Sequence, residues 1–298
     1  MPGVITLTTD FGLQDHYVAV MKAVMMRLAP GVTFVDISHT IPPQDVMAGA
    51  WVLRNSAMMF PKGTVHLAVI DPGVGTDRKP VALEMNGHFF VGPDNGLFTL
   101  IGEQYDVTAV ELVVGSVSES DPPSQTFHGR DIFAPAAARL ASGVPLHELG
   151  TPFNRLVTYH WATPISDKDG IQGWVVHIDS YGNLITNIPG EMLERMLPSG
   201  GYKASGENKA SGGYKASGGY KTTGESKTSR EYKISREYKI YVGNTILPSV
   251  SRTFGSVPEG DPVAYIGSAG MLEIAVNKGN ASELLSVLKG AQVTLIAR

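Results

Sequence analysis

Three short segments hold the residues best suited to chemistry. Asp71-Pro-Gly-Val-Gly-Thr-Asp-Arg78, Gly92-Pro-Asp-Asn-Gly96 and Thr126-Phe-His-Gly-Arg-Asp131 are polar and rich in glycine. The first two directly follow the apolar runs Val65-His-Leu-Ala-Val-Ile70 and His88-Phe-Phe-Val91. A buried strand that stops at Asp and Gly delivers a carboxylate and bare backbone amides to the carboxyl edge of a sheet. Open α/β sheets bind their ligands at that edge. Arg78 follows Asp71 across a glycine loop, so both can face one pocket. His128 precedes a helical pattern, whose positive end favours a neutral ring. Asp, Arg and His together can position a water molecule and take up its proton.

Four carboxylates fall at predicted strand ends: Asp10, Asp36, Asp71 and Asp94. One reading has such a cluster hold a hard cation such as magnesium for phosphoryl chemistry. Another has single carboxylates grip a ribose diol and orient a nucleophile without metal. The plainest makes them turn formers and helix caps, Asp36 above all. The surroundings favour a nucleoside over a phosphate, because the chain has no Gly-x-x-x-x-Gly-Lys-Ser/Thr loop and no Gly-x-Gly-x-x-Gly after its first strand. Gly73-Val-Gly75 alone is too weak to cradle a pyrophosphate. Phe11, Tyr17, Trp51, Phe127, Tyr181 and Asn183 offer aromatic and amide partners for a purine, although each taken singly fits the core better than a ligand platform.

The elements that must position these groups alternate through the first half. Val4 to Thr8 and Thr33 to Ile37 read as strands, Tyr17 to Leu28 as a helix, and Pro43 to Phe60 as a second helix with Pro43 and Gln44 in its first turn. Thr64 to Ile70 is a fully apolar strand. Asn86-Gly87 joins Val81–Met85 to His88–Val91 as a hairpin, and Val107 to Val114 is a further strand. Asp131 is expected to cap a helix running to about Ala141, with Pro135 in its first turn. This alternation predicts an α/β domain over residues 1–160 with a mostly parallel sheet flanked by helices. Beyond it the helical signal fades. Strand-like runs at Ile171–Ile178, Leu184–Ile188, Pro262–Ile266, Leu272–Val276 and Gln292–Ala297 predict a smaller all-β barrel domain over 161–298.

Residues 200–241 form seven consecutive hexads with lysine at every sixth position, from Lys203 to Lys239. Seven Lys and two Arg against four Glu give the repeat a charge of +5, leaving the rest of the chain at −9. Its Gly/Ser-rich start reads as flexible linker, and its end, Arg230 to Tyr241, as a strand or hairpin arm. Basic residues interleaved with Tyr suit single-stranded nucleic acid. The favoured reading is a tandem expansion inside a barrel loop, since surface loops accept insertions readily.

The 298 residues carry a net charge of −4 and are 43% hydrophobic, enough for a substantial core and without an overall basic field for nucleic acid. The absence of cysteine excludes disulfides, thiolate metal sites and cysteine nucleophiles. No apolar stretch approaches the length of a membrane span. The first ten residues lack the basic start and long apolar core of a signal peptide, so a cytoplasmic protein is expected.

Taken together, the motifs resemble the S-adenosyl-L-methionine hydrolase (adenosine-forming) family, the hydroxide adenosyltransferases related to the fluorinating and chlorinating enzymes. The resemblance runs through Thr8-Thr-Asp-Phe-Gly12, Asp15 with Tyr17, the three segments above, Ile178-Asp-Ser-Tyr-Gly-Asn183, Thr186-Asn-Ile188 and Gly267-Ser-Ala-Gly-Met-Leu-Glu-Ile-Ala-Val-Asn277. It implies an N-terminal α/β domain, a C-terminal β-barrel, and a homotrimer with active sites between subunits. It implies hydrolysis of S-adenosyl-L-methionine to adenosine and L-methionine with no metal and no cofactor. By position, Asp10 would hold the ribose hydroxyls, Asp179 the substrate amino group, Asn183 the adenine and Ser268 the carboxylate. Tyr181 stands where Phe is common and would stack on the base. Tyr17, Asp94, Asn95, Phe127 and Val276 complete the implied substrate-binding set. Asp71, Arg78 and His128 match the triad that prepares water, with Asp71 the favoured base. The fluorinating members carry Tyr-Ser where this chain has His128-Gly129, and their insertion of about twenty residues is absent between Asp94 and Thr126. Hydrolysis is therefore the expected reaction. The alternatives are a magnesium-dependent phosphohydrolase using Asp10, Asp71 and Asp94, and a binding module without turnover.

Overall fold

A computed structural model describes residues 3–113, 123–159, 163–167, 169–195 and 238–297. They fall into two compact units, one ending at Tyr159 and the other beginning beyond it. The hexads up to residue 237 lie outside the described residues.

The first unit runs β1 (Val4–Thr9), α1 (Tyr17–Leu28), β2 (Thr33–Ser38), α2 (Val46–Ser56), β3 (Val65–Val69), β4 (Pro80–Met85), β5 (His88–Pro93), α3 (Thr99–Gly102), β6 (Val107–Leu112), α4 (Ala134–Ala141) and β7 (Gly150–Pro152). Its sheet has the order β2-β1-β3-β5-β4-β6-β7. The first four strands are parallel, and the pairs beyond β5 are antiparallel, so the α/β fold expected is built on a mixed sheet. The reversal is local. Asn86 and Gly87 both take positive φ, 51° and 78°, which a two-residue turn matched to strand twist requires.

Every residue of β3 is buried, which explains an apolar run broken only by His66: the strand is central and covered on both faces. On one face Val18, Met21, Val24 and Met25 of α1 share a core with Ala136, Ala137 and Leu140 of α4. On the other, Val46, Ala48 and Leu53 of α2 pack with Ile70, Leu83, Phe90 and Leu97.

Two helix starts differ from the expectation. The second helix begins at Val46, not Pro43, because Asp45 caps it by accepting the Ala48 amide at 3.0 Å. Gln44 sits at φ 66°, which no helix admits. Asp131 is not a cap. It lies inside a wide π-type turn, Gly129–Phe133, that leads into α4. Its carboxylate reaches back to the Ser124 amide at 2.8 Å and pairs with Arg130 at 2.6 and 2.9 Å. Pro135 does occupy the first turn of α4.

The second unit comprises β8 (Ile165–Ser166), β9 (Gly170–Ile178), β10 (Leu184–Pro189), α5 (Gly190–Arg195), β11 (Tyr238–Val242), β12 (Thr245–Leu247), β13 (Val250–Ser251), β14 (Pro262–Ile266), β15 (Met271–Val276), α6 (Ala281–Leu285) and β16 (Gln292–Ala297). Eight of its strands follow the order β12-β11-β16-β9-β10-β15-β14-β13, with β8 on the side of β9. The sheet curls so that β12 approaches β14, giving a nearly closed barrel around Val175, Leu184, Ile240, Leu272, Ile274 and Leu295. The last hexad supplies β11, whose Tyr238 hydroxyl donates to the Leu193 carbonyl at 2.6 Å inside this core. No helix among the described residues is long and apolar enough to cross a membrane.

Candidate active site

Asp71 lies two residues past β3, at the carboxyl edge of the parallel strands. The loop it opens turns back so that Arg78 faces it. Arg78 Nε donates to both carboxylate oxygens at 3.0 Å, and Nη2 donates to Oδ2 at 2.5 Å. Nη2 also donates to Nδ1 of His128 at 2.6 Å. The guanidinium lies over the buried ring of Phe133, with Cζ 5.1 Å from its centroid. The side chains of Asp71 and Arg78 are only 5% and 8% exposed, so this ion pair is shielded from water.

The partners fix the state of His128. A guanidinium has donors and no acceptor, so Nδ1 must be the acceptor and the ring proton must sit on Nε2. Burial pushes the imidazole pKa below its ordinary value, and Arg78 pushes it further, against the opposing pull of Asp71 and Asp131. The ring is thus a neutral donor at neutral pH. It stands at the mouth of the π-type turn, a local distortion that recurs at functional sites.

Asp10 follows β1, and its Oδ2 accepts the Gln44 amide at 2.8 Å. The left-handed backbone of Gln44 is what aims that N–H. Close in sequence to Asp10 and to His128 lies an aromatic trio: Tyr17 and Phe127 are 5.2 Å apart edge to face, and Phe11 lies 5.7 Å from Tyr17 and 6.2 Å from Phe127. A side chain at Gly129 would bring its Cβ to 3.1 Å from Met21 Sδ and 3.3 Å from Phe127. Trp51 is a core residue of α2, with Arg54 against its ring.

The other carboxylates are held individually. Asp36 pairs with Lys22 at 2.7 Å and lies 3.1 Å from His39, as a structural residue would. Asp94 is buried at the end of β5 and accepts the Val157 amide at 2.8 Å. Burial raises its pKa, and that amide opposes the rise. Asn95 donates to the Ile70 carbonyl. Among the described residues no group of three or more His, Asp or Glu is placed to hold a metal ion.

In the second unit, Asp179 organises the turn between β9 and β10. Its Oδ1 accepts the amides of Tyr181 and Asn183 at 3.0 and 2.9 Å, and its Oδ2 accepts Asn183 Nδ2 at 2.8 Å. Tyr181 is 77% exposed, an open aromatic face. Ser268 is exposed in the turn joining β14 to β15. Val276 points into the barrel core. The sequence reading missed Tyr265 and Glu273, which face each other across β14 and β15 and share a hydrogen bond. Burial raises the pKa of both, with Asp179 adding to each rise. The signal for Glu273 was a lone acid inside the apolar run Leu272–Val276. Exposed Phe254, 6.4 Å from the Tyr265 ring, was also passed over.

The family model described as the SAM hydroxide adenosyltransferase N-terminal domain matches residues 5–150. The model of the corresponding C-terminal domain matches residues 173–223 and 221–294. An (R)-S-adenosyl-L-methionine hydrolase of Thermus thermophilus is 39% identical over 97% of each chain. A fluorinase of Actinopolyspora mzabensis is 26% identical over 97% of this chain and 96% of its own. The crystal structure of an uncharacterized conserved protein from Thermotoga maritima superposes with a TM-score of 0.79 at 33% identity, covering 98% of this chain and 99% of that one. With both halves matched and a relative alike from end to end, the chain belongs to the SAM hydroxide adenosyltransferase family.

Proposed function

We propose that this protein hydrolyses S-adenosyl-L-methionine to adenosine and L-methionine, by in-line attack of water or hydroxide on the ribose C5′ carbon. The observation that carries the reading is the Asp71–Arg78–His128 network, in a chain 39% identical to a hydrolase of that substrate. The sulfonium leaves as neutral methionine, so departure needs no acid. The protein's task is alignment, and fixing nucleophile, carbon and sulfur in line supplies on the order of 7–11 kcal/mol.

The Nε2–H of His128 donates to the attacking oxygen and leaves a lone pair free for C5′. Asp71 takes the water's proton as the C–O bond forms and the C–S bond breaks. A carboxylate has about four lone-pair positions, so one pairing with Arg78 does not exhaust it. Asp10, oriented by the Gln44 amide, holds the ribose hydroxyls. The resemblance assigns the purine to Tyr181 and Asn183, and counts Tyr17 and Phe127 among the substrate-binding residues. Asp179 receives the amino group, Ser268 the carboxylate, and Val276 contributes through its backbone. The snug fit at Gly129, where a serine Cβ would require Met21 to give by a few tenths of an ångström, is in keeping with hydrolysis over halide transfer. The magnesium reading needs Asp10, Asp71 and Asp94 together, whereas each is held by a separate partner: the Gln44 amide, Arg78 and the Val157 amide. The family resemblance supports a homotrimer with sites shared between subunits, in the cytoplasm; light scattering reads its mass.

The test is incubation of pure protein with S-adenosyl-L-methionine in ¹⁸O-water. Adenosine labelled at the 5′ oxygen, with methionine in equal amount, is the expected product. Unchanged substrate despite confirmed binding would leave a binding module, and activity abolished by a chelator would restore the metal reading.

A further inference from the structure

The resemblance puts Asn95 among the substrate-binding residues, yet both ends of its carboxamide are satisfied within the first unit. Nδ2 donates to the Ile70 carbonyl at 2.8 Å, and Oδ1 accepts the Leu97 amide at 3.3 Å. The partners decide which end is nitrogen, since a carbonyl only accepts and a backbone N–H only donates.

Ile70 immediately precedes Asp71. The backbone ladder between β3 and β5 ends at Leu67 and Val91, three residues short of Ile70. On its other side β3 pairs with β1 only as far as Val69. Ile70 therefore lies past both ladders, and the Asn95 side chain supplies a donor there. The Ile70 carbonyl and the Asp71 N–H belong to one rigid peptide plane. Holding that carbonyl sets the direction in which Asp71 leaves the chain. Asp71 then sets Arg78, and Arg78 sets the ring of His128. The turn that carries Asn95 is itself clamped. Buried Asp94 accepts the Val157 amide, the Asp94 amide donates to the Lys79 carbonyl at 2.8 Å, and the Tyr159 amide donates to Thr99 Oγ1 at 3.0 Å.

We infer that Asn95 is a positioning residue, acting on the reaction through the Ile70 carbonyl and Asp71 without touching substrate. The inference rests on the role proposed above for the Asp71–Arg78–His128 network. Errors of about 1 Å in such a network cost on the order of 100-fold in rate.

The experiment compares wild type, Asn95→Ala, Asn95→Asp and Thr99→Val at a temperature where all are folded. Steady-state kinetics with S-adenosyl-L-methionine are paired with ¹⁵N–¹H spectra of the Arg78 Nε–H, assigned by its loss in Arg78→Lys. Asn95→Ala lowers kcat by roughly 10- to 100-fold with little change in KM, and it displaces or broadens the Arg78 resonance. Thr99→Val removes the acceptor of the Tyr159 amide but leaves both Asn95 contacts and the Asp94 anchors in place, lowering Tm while kcat and the resonance hold. Asn95→Asp carries the distinguishing signature. Its ionised form sets acceptor against acceptor at Ile70, whereas its protonated form donates again. The ratio of its kcat to that of wild type therefore climbs as pH falls, while the ratio for Asn95→Ala stays flat.

A raised KM at unchanged kcat in the Asn95 variants would make the residue a substrate contact and overturn the inference. So would an Arg78 resonance that stays in place in Asn95→Ala. Wild type that does not turn over S-adenosyl-L-methionine would sink the proposed function alone, and the Arg78 resonance would then decide for or against Asn95 by itself.

Discussion

Acid should unfold this protein partly through one imidazole. His66, in the middle of β3, has no solvent exposure. Its Nδ1 pairs with Thr6 Oγ1 of β1 at 2.8 Å, and its Nε2 meets His88 Nδ1 of β5 at 3.2 Å. Burial first, and His88 second, push its pKa from 6.5 down to about 3. The folded state therefore prefers the neutral ring, while the unfolded chain takes a proton near pH 6.5. Stability from this residue is complete above pH 6.5 and drains away as pH falls towards 3. Each unit of pKa is worth about 1.4 kcal/mol, so protonation withdraws about 3 kcal/mol by pH 4 and about 5 kcal/mol in all. Against a typical total of about 5–15 kcal/mol, that is enough to bring the first unit close to its unfolding midpoint. His66→Gln keeps a hydrogen-bonding side chain and removes the titration. Urea unfolding at several pH values between 7 and 4 should show a steep loss of stability for wild type and a slope shallower by about one proton for the variant. Equal slopes, or a His66 ring that titrates near 6.5 in the folded protein by NMR, would refute the reasoning.

Three further outcomes follow from the site. Asp71→Asn removes the proposed proton acceptor and one side of the Arg78 pairing, and should lower kcat by about 100- to 10,000-fold. Adenosine should still bind the variant by calorimetry; lost binding would make Asp71 a nucleoside contact instead. The lowered pKa of His128 predicts an acid limb in kcat/KM whose midpoint lies below the ordinary 6.5, because a proton on Nδ1 ends its acceptance from Arg78. A midpoint above 6.5 in the pH–rate profile would contradict that. Gln44→Gly preserves the N–H that orients Asp10 and relieves the left-handed backbone, so KM should hold and stability should change by less than about 1 kcal/mol. Gln44→Pro deletes the donor and cannot take positive φ, so KM should rise sharply in the same kinetic assay.

Much of the frame was legible because its signals are local. The period of α1, the apolar run of β3 and the Asn86-Gly87 turn each declare themselves within a dozen residues. Where two local signals competed, the stronger hydrogen bond won: Asp45 could reach the Ala48 amide, so the helix began there and Pro43 fell outside it. Asp131 looked like a cap but found a partner upstream, in Ser124, which no capping rule consults. In the site, Asp71 and Arg78 were readable from a strand end and a glycine loop. The link from Arg78 to His128 spans fifty residues: their chemistry suggested a joint role and the family resemblance a triad, but the contact itself needed the fold. Asp94 and Asn95 were visible as a turn, but their attachments, Val157 and Ile70, lie far off in sequence. Tyr265 and Glu273 needed the β14–β15 register to become a pair.

The arginine at the centre of the network also governs where protons can travel. A guanidinium has no lone pair and keeps its hydrogens at any physiological pH. It joins Asp71 and His128 mechanically while insulating them from each other for proton exchange. A proton captured at the carboxylate cannot hop through Arg78 to the imidazole, as it could along a chain of hydroxyls or waters. It must leave from the Asp71 side, with product or to solvent. The two ends of the network therefore reset independently between turnovers: the imidazole stays a donor throughout, and only the carboxylate cycles.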